Sequence, residues 1–255
     1  FPALVRAQEE LGGGPAPGYP GNYGTVKFGH GPYRFGDNNL VLNAARLRWQ
    51  GNHTYLDFSH RTDNFVGVTI TGGWQAHKSY ASLGGMQGFR LIGNRESDES
   101  RWPSGSIGIK EFGATMDEAP VNTVRDCVVT GWWHGREISQ HSYLNLWDNC
   151  VIRDCDTGFH VPKDSLPNYG ERISLTNTDI AQCNTGIYAG GNGTLQVMLN
   201  SCSLDHNANQ VVVDGAIVNA VNCNIEDSGG TNPAVVTKGG PNSLFTMYGG
   251  ALVTS

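Results

Sequence analysis

Short aliphatic runs recur along the second half of the chain, each behind the same kind of turn residue. Asp126-Cys127-Val128-Val129, Asn149-Cys150-Val151-Ile152, Asn177-Thr178-Asp179-Ile180, Ser201-Cys202-Ser203-Leu204, Asn222-Cys223-Asn224-Ile225 and Gly249-Gly250-Ala251-Leu252 form one series. Successive fourth positions are 23, 28, 24, 21 and 27 residues apart. Irregular repeats of this length, made of short β-prone runs between Gly, Asn and Asp turns, predict a β-solenoid. The aliphatic fourth positions should then lie on top of one another. Asn149, Asn177 and Asn222 share a turn register and are expected to stack as an amide ladder.

A second strand recurs about six residues later. It reads Gly108-Ile109-Lys110-Glu111, Gly135-Arg136-Glu137-Ile138, Gly158-Phe159-His160-Val161, Gly186-Ile187-Tyr188-Ala189 and Gln210-Val211-Val212-Val213. Side chains alternate between the faces of a strand. With Ile109, Phe159, Ile187 and Val211 inward, Lys110, Glu137, His160 and Tyr188 point outward in one column. Arg136 falls on an inward position, a flaw in this register that a bulge or local loop would explain.

Earlier coils are expected around Thr54–Phe58, Val66–Gly72 and Phe89–Gly93. The step from Leu91 to Val129 is 38 residues, so about 15 residues are inserted, within 94–104, 115–121 or both. Inserted loops on a rigid scaffold commonly carry function. At the start, Phe1–Leu11 reads as a short amphipathic helix ended by three glycines. Residues 1–23 are therefore expected to be a capping helix and loop, and 24–255 the solenoid. The chain opens at Phe1 and stops within what reads as another coil, so truncation at the C-terminus is expected.

Composition narrows the classes of partner. The 255 residues carry a formal net charge of −6, and only 16% are Asp, Glu, Lys or Arg. That balance argues against nucleic acid or an anionic membrane surface as the main partner. No run of about 18 apolar residues predicts a membrane span. Four of the six cysteines (Cys127, Cys150, Cys202, Cys223) share one repeat position, and Cys155 and Cys183 share another. Both sets are expected to be buried, reduced, stacked thiols. Cysteine and histidine spacings suggest no metal site, and no cofactor is expected.

The opening helix and Gly-rich loop, Gly24-Thr25-Val26-Lys27-Phe28, Gly31-Pro32-Tyr33-Arg34-Phe35, Leu40-Val41-Leu42 and the Asn-Cys-x-Ile coils together resemble the right-handed parallel β-helix proteins of the pectate-lyase-like superfamily. Within it the opening looks most like bacteriophage tailspike depolymerases. The resemblance spans essentially the whole chain. It implies an all-β, right-handed parallel β-helix, a homotrimer, an extracellular or virion-tail location, and binding and cleavage of a bacterial capsule, O-antigen or exopolysaccharide. The superfamily also includes lyases, epimerases and non-catalytic adhesins, so these stand as alternatives. No calcium-aspartate cluster or paired-aspartate motif of the superfamily is matched, and the site is argued from the residues themselves.

Glu137 and His160, on consecutive coils, are the expected acid–base pair, with Asp164 as a further catalytic candidate. Lys110 and Tyr188 extend their column as substrate contacts. Trp132 and Trp133 are adjacent, so one of them should leave the core, and with Trp102 they offer flat apolar surfaces for sugar rings. Trp74 lies in the same Trp-rich half, whereas Trp147 reads as core. Arg136 and Arg172 suit an acidic sugar's carboxylate. Hydrolysis needs two carboxyl groups, and candidates are Glu137, Asp156 and Asp164, or Glu96, Asp98, Glu99, Asp117 and Glu118 in the insertions. His134, His141 and His206 read as surface or turn residues.

Overall fold

The computed structural model describes residues 24–35, 40–44, 47–72, 84–94, 102–114, 122–142, 144–163, 172–191, 195–226, 234–238 and 242–253. The capping helix and loop expected over 1–23 lie outside these residues, as do Trp74 and Asp164. Every regular element described is a β-strand, and the strands pair in parallel from coil to coil. The chain winds as a parallel β-solenoid with three faces. In one representative turn, Leu146–Asp148 lies on the first face, Val151–Arg153 on the second and Thr157–Val161 on the third. The third face is an eight-stranded sheet of its own. The first two share a larger sheet, because long strands such as Leu47–Asp57 and Ile217–Glu226 run round the corner between them.

The repeat seen in the sequence is the corner between the first and second faces. Asp126, Asn149, Asn177, Ser201, Asn222 and Gly249 all have left-handed backbone, with φ between 48° and 66°. Asn, Asp and Gly accept that conformation more readily than other residues, which is why they recur there. A second left-handed column, Gly131, Asp154, Gln182 and His206, turns the chain from the second face to the third. Asn149 Nδ2 donates to Asp126 Oδ1 at 2.7 Å, a side-chain rung on the outside of the first corner. The shared requirement of the column, however, is its backbone angle.

The aliphatic stack forms as the spacing predicts. Leu56, Leu91, Val129, Ile152, Ile180, Leu204, Ile225 and Leu252 are partners in consecutive pairings. From Leu56 to Ile225 they are fully buried. All six cysteines are free and buried beside them. Loss of hydration pushes the Cys127 and Cys155 thiols far up and Cys150 to about 12, so they behave as small apolar groups.

The residues inserted after Leu91 divide unevenly. Gly93 to Ile107 spans 14 positions where the next turn uses three, Gly131 to His134. Glu111 to Thr123 spans 12 where the next turn uses eight, Ile138 to Leu146. Both proposed loops are therefore real insertions, one on each side of the third-face strand Ile107–Glu111.

Arg136 departs from the expected bulge. Its pairing with Ile109 and Phe159 is regular, and its side chain points inward with no exposed surface. Its Nη2 donates to Glu111 Oε2 at 2.9 Å, and the guanidinium lies 4.6 Å from the Trp147 ring centroid and 4.9 Å from that of Phe159. Glu111, equally buried, also accepts from Trp147 Nε1 at 2.8 Å and Asn145 Nδ2 at 2.7 Å. The core tolerates this charge because a neighbouring coil supplies the opposite one.

Candidate functional site

The outer surface of the third face carries an unbroken column of side chains. Thr69, Lys110, Glu137, His160, Tyr188 and Val212 are successive partners, as the alternation of the strands predicts. A glycine precedes the inward residue on five consecutive strands: Gly67, Gly108, Gly135, Gly158 and Gly186. A Cβ on Gly135 would lie 2.6 Å from Ile152 Cγ2 and 2.8 Å from the Gly158 carbonyl oxygen, and the others are similarly tight. The glycines thus face inward too, making two consecutive inward positions. This breaks strict alternation and turns the residue before each glycine outward. In the strand His134–Ile138, it brings His134 to the same side as Glu137.

The result is a carboxylate held from three sides. His134 Nδ1 is 2.9 Å from Glu137 Oε2, His160 Nδ1 is 3.3 Å from the same oxygen, and Lys110 Nζ is 3.4 Å from Oε1. The two imidazole rings lie 3.7 Å apart between centroids, 31° from parallel. Glu137 is only 8% exposed although it points out of the barrel, because these neighbours cover it. Burial alone would raise its carboxyl. The hydrogen bonds from His134 and His160 and the charge of Lys110 outweigh that and hold it far below the usual carboxylate range. Burial lowers the His160 imidazole, with the His134 ring adding to the effect and Glu137 opposing it. Glu137 is therefore a fixed anion and His160 a neutral base at neutral pH. His134, Glu137 and His160 also present ligand atoms within 4.8 Å of one another, close enough to converge on a cation.

The column continues into a second polar group. The Tyr188 ring lies 5.4 Å from that of His160, and its hydroxyl donates to Asp214 Oδ2 at 3.1 Å. Lys163 Nζ is 2.8 Å from Asp214 Oδ1, and Lys238 Nζ lies 5.4 Å from the Tyr188 ring centroid. Asp214 is held low, first by Lys163 and then by Tyr188, against burial. Three of the chain's five lysines thus gather on this face of a net acidic protein.

The other expected contacts separate. Trp133 is half-buried, with its ring 6.4 Å from that of His134, and it flanks the cluster. Trp132 is a core residue packed on Phe58 and Phe65, so it offers no face to a ligand. Arg136 is likewise removed from the contact set by its burial against Glu111. Trp102 is 8% exposed and donates its indole N–H to the Asp154 carbonyl oxygen at 2.7 Å, pinning the inserted segment onto a corner of the solenoid. Arg172 is exposed, in left-handed backbone at the turn entering the first face. His134 is the residue that sequence reading missed. The recurring glycine was visible, but not its inward orientation, which alone brings positions 134 and 137 to one side.

No protein-family model matches the sequence, and no curated protein matches it. Among solved structures, the chain is similar to the enzymatically active domain of tailspike protein 2 from bacteriophage CBA120. The TM-score is 0.40 at 10% identity, over 88% of this chain and 41% of that one. It is also similar to a full-length tailspike protein 2 from an Escherichia coli O157:H7 bacteriophage. There the TM-score is 0.35 at 10% identity, over 88% and 37% of the two chains. The chain spans about two-fifths of the length of these proteins.

Proposed function

We propose that this solenoid is a tailspike-like depolymerase that lays a bacterial surface polysaccharide (capsule, O-antigen or exopolysaccharide) along its third face and cuts it beside Glu137. The observation that carries the reading is the continuous polar column Lys110–Glu137–His160–Tyr188, rimmed by Trp133, Lys163 and Lys238. A repeating ligand suits a repeating surface, with many shallow contacts summed along it. The clustered lysines suit an acidic chain, and a flat aromatic at the rim suits a sugar ring.

The electrostatics favour lyase chemistry at this position over hydrolysis. Hydrolysis needs one carboxyl group to stay protonated as the acid, and Glu137 and Asp214 are both held as anions. In the lyase reading Glu137 accepts the Nδ1–H of His160 and leaves Nε2 free as the base. His160 removes the proton beside a uronate carboxylate, and that C–H pair becomes the new C=C bond. The C–O bond to the next sugar breaks, and the departing oxygen takes a proton from Tyr188 or water. Lys110 offsets the charge that builds on the uronate.

A second reading, hydrolysis on the second face, draws on Asp179. Its carboxyl is raised by burial and by Asp205, which sits diagonally from it on the next coil. The two readings part in one assay. Acidic capsular or O-antigen chains are incubated with the protein, and chain length and the ultraviolet absorbance of unsaturated sugar ends are followed together. E137Q and H160A should each slow shortening by about 10²-fold or more, with new absorbance in the wild type. Shortening without absorbance, lost in D179N and kept in E137Q, moves the site to the second face. Binding without shortening makes the protein an adhesin.

A further inference from the structure

We propose that His134, Glu137 and His160 form a binding site for a divalent transition-metal ion of the zinc type, with its open position toward solvent. The inference rests on donor chemistry and distance, and stands independently of the polysaccharide reading. Two imidazole nitrogens and one carboxylate oxygen are a common three-ligand zinc set, and a fourth position left to water completes it. Bonds of about 2.0–2.1 Å at tetrahedral angles separate donor atoms by roughly 3.3 Å. His134 Nδ1 and His160 Nδ1 stand 2.9 and 3.3 Å from Glu137 Oε2, close to that spacing, and all three ligand atoms lie within 4.8 Å of one another.

The scaffold fixes these atoms before any ion arrives. His134 and Glu137 belong to one strand and His160 to its paired neighbour, and the glycine column holds both strands against the core. Lys110 is the opposing charge, but it sits at Oε1 while both histidines meet Oε2. An ion entering among the Nδ1 atoms thus approaches from the side away from the ammonium. It takes the Nδ1 lone pairs, and the protons there move to Nε2 or to solvent. That removes the Nε2 lone pair from use as a base, so ion binding and proton abstraction by His160 exclude each other.

The test is calorimetric titration of Zn²⁺ into the chelator-treated full chain, alongside E137Q and an H134A/H160A double variant. One ion per chain is expected, with affinity falling at least about 10-fold in E137Q, the lower bound for disturbing even a ligand's supporting hydrogen bond, and further in the double variant. Side-chain nitrogen NMR of the wild type is the second measurement and needs no variant to fold. Two histidines should shift in step with the first equivalent of Zn²⁺. Absence of saturable binding, equal affinity in a folded double variant, or unmoved histidine resonances overturns the site. Because these readouts are binding signals, a protein that binds zinc but is inactive when freed of metal would sink the depolymerase reading alone.

Discussion

The fate of single side chains here is decided by partners on adjoining coils. Arg136 and Trp132 look outward-facing by residue type, yet both are interior. For Arg136 the alternating register already pointed inward, and what the sequence hid was Glu111, 25 residues earlier, waiting to pair with it. The pair gives a clear expectation. Glu111→Ala leaves a buried cation alone and should cost about 3–5 kcal/mol in denaturant unfolding. Combining Arg136→Met with Glu111→Gln should recover part of that loss, because no unpaired charge remains and the amide oxygen still accepts from Trp147 or Asn145. A double variant no more stable than Glu111→Ala would mean the cost does not lie in the uncompensated charge.

At the level of strands and corners, the sequence was more transparent. The left-handed corner residue and the aliphatic three places later recur together, so Val129, Ile152, Ile180, Leu204 and Ile225 could be stacked from their spacing alone. The third-face column from Lys110 to Tyr188 was legible by the same alternation. Alternation failed at the glycines, which cancel one step of it and carry His134 to Glu137. The expected consequence is measurable. In Gly158→Ala the new Cβ would lie 2.7 Å from Ile180 Cγ2 and 2.8 Å from the Gly186 carbonyl oxygen. That crowding should cost about 1–3 kcal/mol and disturb the His160 side-chain resonances. Full stability would show that the two strands can part without strain.

For the molecule as a whole, acid is the revealing variable. Burial would raise the Asp57 carboxyl, but Ser59 and Arg34 hold it low. Glu137 and Asp214 are lowered as well, and His160 is kept neutral by burial. In each case the unfolded chain binds more protons, so each contributes stability that is present above its unfolded pKa, begins to be lost below it and is gone once pH has fallen through the folded pKa. In chelator-treated protein the melting temperature should begin to fall below about pH 6.5, from His160, and more steeply below about pH 4, from the carboxylates. E137Q should flatten the steeper limb, and an identical acid limb in E137Q would show that its carboxylate is not held low. The buried ion pair bears on assembly in a different way. Aliphatic side chains are interchangeable between turns, so a ribbon threaded one winding out of step would still lay methyl groups on methyl groups. Glu111 and Arg136 have no such substitutes: shifted by a winding, each would be entombed opposite hydrocarbon. Their meeting is thus expected to act as a keyed joint, rejecting misthreaded windings that uniform greasy contacts alone would let pass.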